Sequence, residues 1–102
     1  MDDQLLDKIR QVKAKYFVEG FIILGIFGSF ARDEADENSD LDILYEFQEQ
    51  FYVLHPGWSA YARLEEIKKE LTDILGRQVD LAGRNALDLV AQRHIMPEVR
   101  YV

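Results

Sequence analysis

Gly28-Ser29-Phe30-Ala31-Arg32-Asp33-Glu34-Ala35-Asp36-Glu37-Asn38-Ser39-Asp40-Leu41-Asp42 is the stretch that decides how this chain reads. Before it runs Phe21-Ile22-Ile23-Leu24-Gly25-Ile26-Phe27, a near-continuous apolar segment that predicts a strand buried on both faces. The strand stops at Gly28, and Ser29 is placed to N-cap a short helical turn through Phe30, Ala31 and Arg32. Such a turn offers backbone N–H groups, a hydroxyl and a positive dipole end, a combination suited to phosphate. After an acidic loop, Asp40 to Phe47 resumes the two-residue alternation of a strand. Residues two apart leave a strand on the same face, so Asp40 and Asp42 point together while Leu41 and Ile43 turn to the core. Neighbouring carboxylates repel, and a divalent cation between them relieves that repulsion.

Outward from this stretch the chain alternates helices and strands. Asp2-Asp3, followed by Leu5, Ile9, Val12 and Tyr16, predicts an amphipathic helix that closes near Glu19-Gly20 and covers a sheet. Phe51 to Leu54 is ambiguous, and His55-Pro56-Gly57 is a turn. A second long helix presents Tyr61, Leu64, Ile67, Leu71, Ile74 and Leu75 on one face and ends at Gly76. Trp58 and Tyr61 read as core or helix-edge packing rather than a base-stacking platform. Gln78 to Ala82 predicts a third strand, which places Asp80 between the apolar Val79 and Leu81. Asn85 is expected to cap a last helix that Pro97 breaks, and residues 98–102 a short terminal helical turn. The expected fold is α/β (α+β): a small mixed sheet of three to four strands covered by helices, in the order helix-strand-helix-strand-helix-strand-helix.

The 102 residues predict one domain, spanning 1–102. The formal charge of −7 sets a field that repels a polyphosphate backbone and attracts a basic protein, so direct nucleic-acid binding is not expected. No apolar run approaches the ~20 residues of a membrane span, and no secretory signal is visible. With no cysteine there are neither disulfides nor thiolate metal sites, and a cytoplasmic location is expected. The four acids Asp33, Glu34, Asp36 and Glu37 read either as a solvated loop or as a rim that meets basic groups of a partner. His55 and His94 accompany no nucleophile motif, so a covalent route has no support.

The pattern Gly-Ser, ten residues, Asp-x-Asp resembles the motif of the DNA polymerase beta-like nucleotidyltransferase superfamily. With each fixed residue at about 5–7% usage, chance would produce it in roughly one chain of this length in a thousand. The phrase from Gly28 through Arg32 to Ser39-Asp40-Leu41-Asp42-Ile43-Leu44 is similar to the minimal nucleotidyltransferase (MNT) branch. Small members of that branch pair, as MntA-type antitoxins, with HEPN-domain toxins. The resemblance implies that Asp40, Asp42 and a third acid, Asp80 in its Val-Asp-Leu phrase, are catalytic and hold metal, two Mg²⁺ ions or Mn²⁺. It implies that Gly28 and Ser29 hold the terminal phosphates of ATP. Arg32 either joins them or pairs outward with the acidic loop. The acceptor implied is a tyrosine hydroxyl of a HEPN ribonuclease toxin, which receives AMP within a complex of the two proteins. Members usually carry Gly where Asp33 stands, a position suited to a left-handed turn. Two further readings stay open: an antitoxin that only occludes its partner, and a small-molecule nucleotidyltransferase that works as an oligomer.

Overall fold

The computed structural model describes residues 2–102. Helix α1 spans Asp3–Phe17, and Asp2 caps it by accepting the Gln4 N–H at 2.9 Å. Asp3 in the first turn and Lys15 in the last complement the helix dipole. Strand β1 (Phe21–Phe27) leads into the short helix α2 (Gly28–Ala31), and β2 follows at Leu41–Phe47. Two helices then run in succession, α3 (Glu49–Leu54) and α4 (Trp58–Leu75), before β3 (Val79–Gly83). A 3₁₀ turn at Arg84–Ala86, helix α5 (Leu89–Ile95), a 3₁₀ turn at Met96–Glu98 and strand β4 (Arg100–Tyr101) complete the chain.

The four strands form one mixed sheet in the order β3-β2-β1-β4. β1 pairs antiparallel with both β2 and β4, whereas β2 and β3 run parallel. The parallel pair needs a long crossover, which α3 and α4 supply. Helices α1 and α4 pack on each other and on the sheet. Ile9 and Tyr16 of α1, Ile23 and Ile26 of β1, Leu41 and Ile43 of β2, and Ile67 and Leu71 of α4 meet there with no exposed surface. Phe21, Tyr45, Phe47 and Phe51 form an aromatic row that joins the sheet to α3, with Phe47 and Phe51 stacked at 4.1 Å.

The mixed, helix-covered sheet agrees with the sequence reading; three local expectations are corrected, and the ambiguous segment at Phe51 is resolved. The residues beyond Glu98 form a strand rather than a helical turn, because β1 has an edge opposite β2 whose polar groups the terminus pairs. Asn85 lies in a 3₁₀ turn, and Asp88 caps α5 instead, its carboxylate accepting the Ala91 N–H at 2.8 Å. Phe51 falls in α3. Only the later part of the α4 stripe is buried, at Ile67, Leu71 and Leu75; Trp58 is 90% exposed and Tyr61 63%. Gly76 closes α4 in the left-handed conformation, at φ 69°.

A polar clamp holds α4 to α1. Arg63 donates through Nε and Nη2 to the two oxygens of Glu19, at 2.7 and 2.9 Å, and through Nη1 to Glu70 at 2.9 Å. Tyr16 donates its hydroxyl to Glu70 at 2.6 Å, and His55 Nε2 lies 3.1 Å from Glu19. The Arg63 hydrogen bond holds the Glu19 carboxyl below its ordinary value, and the Tyr16 hydroxyl does the same for Glu70. A carboxyl with a depressed folded pKa stabilises above its unfolded value and loses that contribution as pH falls through the folded one. Arg63→Met is therefore expected to cost about 2 kcal/mol at pH 7, from charged hydrogen bonds lost in a half-buried setting. The deficit should shrink below the ordinary glutamate value of 4.5. Urea unfolding of both proteins from pH 7 to pH 3 measures it, and a deficit independent of pH would assign the loss to packing alone.

Candidate active site

β1 and β2 are in register so that Phe27 faces Asp42, and β2 and β3 so that Asp42 faces Asp80. The central strand β2 and the edge strand β3 thus carry two acids at one sheet position. Asp40 stands one residue before β2 and is exposed, so it belongs to the loop mouth rather than to the strand. Its charge nevertheless reaches Asp42. The Asp42 carboxyl is pushed above its ordinary value by burial first, then by the Asp80 and Asp40 charges, with Arg32 opposing and Glu98 adding to the rise. Asp80 is exposed and its Oδ1 lies 3.9 Å from Lys68 Nζ of α4.

Gly28 faces Asp42 across the turn from β1 into α2. Its φ of +72° is the left-handed region, and a Cβ there would stand 2.2 Å from Asp42 Oδ2. Any other residue would be strained and would displace the carboxylate. The capping expectation for Ser29 is corrected: α2 begins at Gly28, Phe27 takes the N-cap position, and no side chain caps the helix. Ser29 is the second residue of α2, because glycine at positive φ already turns the chain one residue earlier. The expected left-handed turn at Asp33 is present, with φ +58°.

Arg32 follows α2 and donates Nε to Glu34 of the acidic loop at 3.0 Å, the outward pairing the sequence left open. Its Nη1 turns the other way, to Glu98 at 3.2 and 3.3 Å. Glu98 also accepts the Gly28 N–H at 3.2 Å. No pattern around Glu98 signals this, since 70 residues separate it from Gly28. Lys68 carries no local signal either, since on α4 it reads as one of several polar-face charges.

The donor set tests whether a metal fits. Asp40, Asp42 and Asp80 offer hard carboxylate oxygens without thiolate or imidazole, the chemistry of Mg²⁺ or Mn²⁺ rather than of zinc. The charge on Asp42 is disfavoured as the site stands, and a cation would reverse that. Among the described residues, no three His, Cys, Asp or Glu side chains are gathered closely enough to form a ready cage. The residues fit a divalent cation in kind, and their side chains are not drawn together. No helix among the described residues is long and apolar enough to cross a membrane.

Comparison with known proteins agrees with this fold. Residues 7–102 match the family described as Polymerase beta, Nucleotidyltransferase. The protein adenylyltransferase MntA of Thermococcus cleftensis is 38% identical over 79 residues, which cover 78% of this chain and 72% of that protein. A Methanocaldococcus jannaschii protein, named provisionally as a protein adenylyltransferase, is 36% identical over 85 residues, 82% of this chain and 76% of its own. A solved structure, described provisionally as a minimal nucleotidyltransferase, superposes with a TM-score of 0.72 at 31% identity, over 100% of this chain and 97% of that one. The match over residues 7–102, the adenylyltransferase relatives and the shared minimal fold together show that this chain belongs to the polymerase beta nucleotidyltransferase family, as an enzyme of the minimal type.

Proposed function

We propose that the chain is a metal-dependent protein adenylyltransferase that moves AMP from ATP to a tyrosine hydroxyl of a HEPN-type toxin and so silences it. The observation that carries this reading is the half-buried Asp42, in register with Asp80 and facing a glycine that leaves its carboxylate free. The names of the relatives give the transferred group and the class of acceptor.

In this reading Asp40, Asp42 and Asp80 would hold Mg²⁺, which when bound would supply positive charge against the triphosphate and pyrophosphate. Gly28 N–H and the Ser29 hydroxyl hold the terminal phosphates, and Arg32 adds a cationic donor beside them. The tyrosine oxygen attacks the α-phosphorus in line, the bond to the β-phosphate oxygen breaks, and pyrophosphate leaves with that electron pair. Asp80 takes the hydroxyl proton. Positioning and charge neutralisation supply most of the rate, since no residue forms a covalent intermediate. The acceptor comes from the partner, and the chain's net charge of −7 draws a basic partner surface toward it.

Asp42→Asn keeps the shape of the side chain and removes its charge. Incubated with ATP, Mg²⁺ and the co-expressed toxin, the wild type should add AMP mass to the toxin, and the variant should do so at least ~100-fold more slowly. Equal modification by both proteins would overturn the assignment of Asp42. A toxin silenced by the wild type with no added mass would favour occlusion over catalysis.

The same variant tests the site without the partner. A carboxyl whose folded pKa is raised contributes stability below its unfolded value and loses it as pH rises through the folded one. Asp42 starts from an ordinary value of 3.8, so at pH 7 its charge is a liability in metal-free protein. In EDTA, Asp42→Asn should melt higher than wild type at pH 7, with the gap closing toward pH 3. Mg²⁺ with ATP should stabilise only the wild type, by about 2.7 kcal/mol at a hundredfold excess over the dissociation constant. Identical melts under all conditions would remove Asp42 from a metal site.

A further inference from the structure

Glu98 places a carboxylate of this chain on donors that the proposed function reserves for phosphate. Its Oε1 accepts the Gly28 N–H at 3.2 Å, and both its oxygens accept Arg32 Nη1 at 3.2 and 3.3 Å. Carboxylate and phosphate oxygens are both anionic acceptors that match the same N–H groups. One amide hydrogen serves one strong acceptor, so Glu98 and a phosphate oxygen exclude each other at Gly28. Arg32 is different. Its five donors serve several acceptors at once, as its second pairing with Glu34 at 3.0 Å illustrates.

The backbone on both sides of Glu98 is tied down. The 3₁₀ turn Met96–Glu98 closes with the Val99 N–H on the Met96 carbonyl, at 3.3 Å. β4 then pairs with β1 at Gly25 and Ile26, and the Val102 N–H reaches the Leu24 carbonyl at 3.1 Å. Arg100 pairs with Asp33 at 3.4 Å, and Lys13 donates to the Val102 carbonyl. The terminal segment is therefore a strap, sewn to the strand that leads into Gly28. It carries Glu98 to the turn while leaving 29% of the Glu98 side chain open to solvent. Release of Glu98 needs only a side-chain rotation and no loss of the strap.

We propose that Glu98 is an internal competitor for the phosphate-binding donors: nucleotide seats on Gly28 only as Glu98 lets go, so this residue sets nucleotide affinity. The proposal rests on the nucleotidyltransferase reading of the Gly28-Ser29 turn. Apparent affinity is the intrinsic affinity scaled by the fraction of molecules with the Gly28 amide free. While the site is empty, Glu98 also satisfies that amide and pairs with Arg32, at the cost of one more negative charge near Asp42.

The test titrates the full chain with Mg²⁺–ATP, and separately with Mg²⁺–pyrophosphate, by calorimetry. The proteins are wild type, Glu98→Gln, Glu98→Ala and Glu34→Gln. Glu34→Gln takes one negative partner from the same guanidinium yet leaves the Gly28 amide covered, so it controls for charge. Both Glu98 variants should tighten both ligands about tenfold, the scale of a charged hydrogen bond removed from competition, and Glu34→Gln by less than about twofold. In ligand-free protein the Gly28 amide proton should shift upfield in Glu98→Ala and stay in place in Glu34→Gln. Equal gains from Glu34→Gln and Glu98→Gln would reduce the effect to net charge and overturn the proposal. So would unchanged or weaker binding in the Glu98 variants, with the nucleotide reading left standing. Binding by none of the four proteins would overturn that reading and the competitor role together.

Discussion

Asp42 stands half-buried at the centre of a sheet, against an Asp on the neighbouring strand, because Gly28 leaves no atoms where the carboxylate must lie. Much of the structure serves this one placement. β2 is buried at Leu41, Ile43 and Leu44, so its register with β1 and β3 cannot slip without turning those side chains to solvent. The same register that protects the core sets Asp42 opposite Asp80. Core stability and site geometry are one constraint.

The charge balance around Asp42 is deliberately unfavourable. Asp80, Asp40 and Glu98 all raise its proton affinity, and Arg32 opposes them. Such an arrangement stores repulsion that a cation or a cationic partner group would relieve. Lys68 from α4 relieves part of it at Asp80, and Arg32 divides its donors between Glu34 and Glu98. The site is acidic around Asp42, and at its glycine turn the Gly28 N–H is held by Glu98. Its strap and its long helix are each held by an arginine: Arg100 ties β4 to Asp33, and Arg63 ties α4 to Glu19 just past α1.

The strand pattern around Gly28 to Asp42, the long helices and the third acid on a strand are legible in the chain because each is a local or periodic property. Apolar spacing of two or of three to four residues reports which face is buried, and a glycine before Ser29 reports a tight turn. Even the left-handed Asp33 follows from local sterics. The Ser29 cap fails by two residues, since Gly28 at positive φ starts the helix earlier than capping preference implies.

By itself, then, the sequence determines the long helices and the three longer strands, the glycine turn, the acids at positions 40, 42 and 80, and the family. Tertiary structure alone decides which charges meet. Asp42 faces Asp80 only once β2 and β3 pair in parallel, and Lys68 nears Asp80 only once α4 docks. Glu98 reaches Gly28 only because the last residues of the chain pair with β1. The physical reason is separation along the chain. A period of two or 3.6 residues describes neighbours on one element, whereas contacts across some 70 residues depend on how sheet order folds the ends together, which no local pattern encodes.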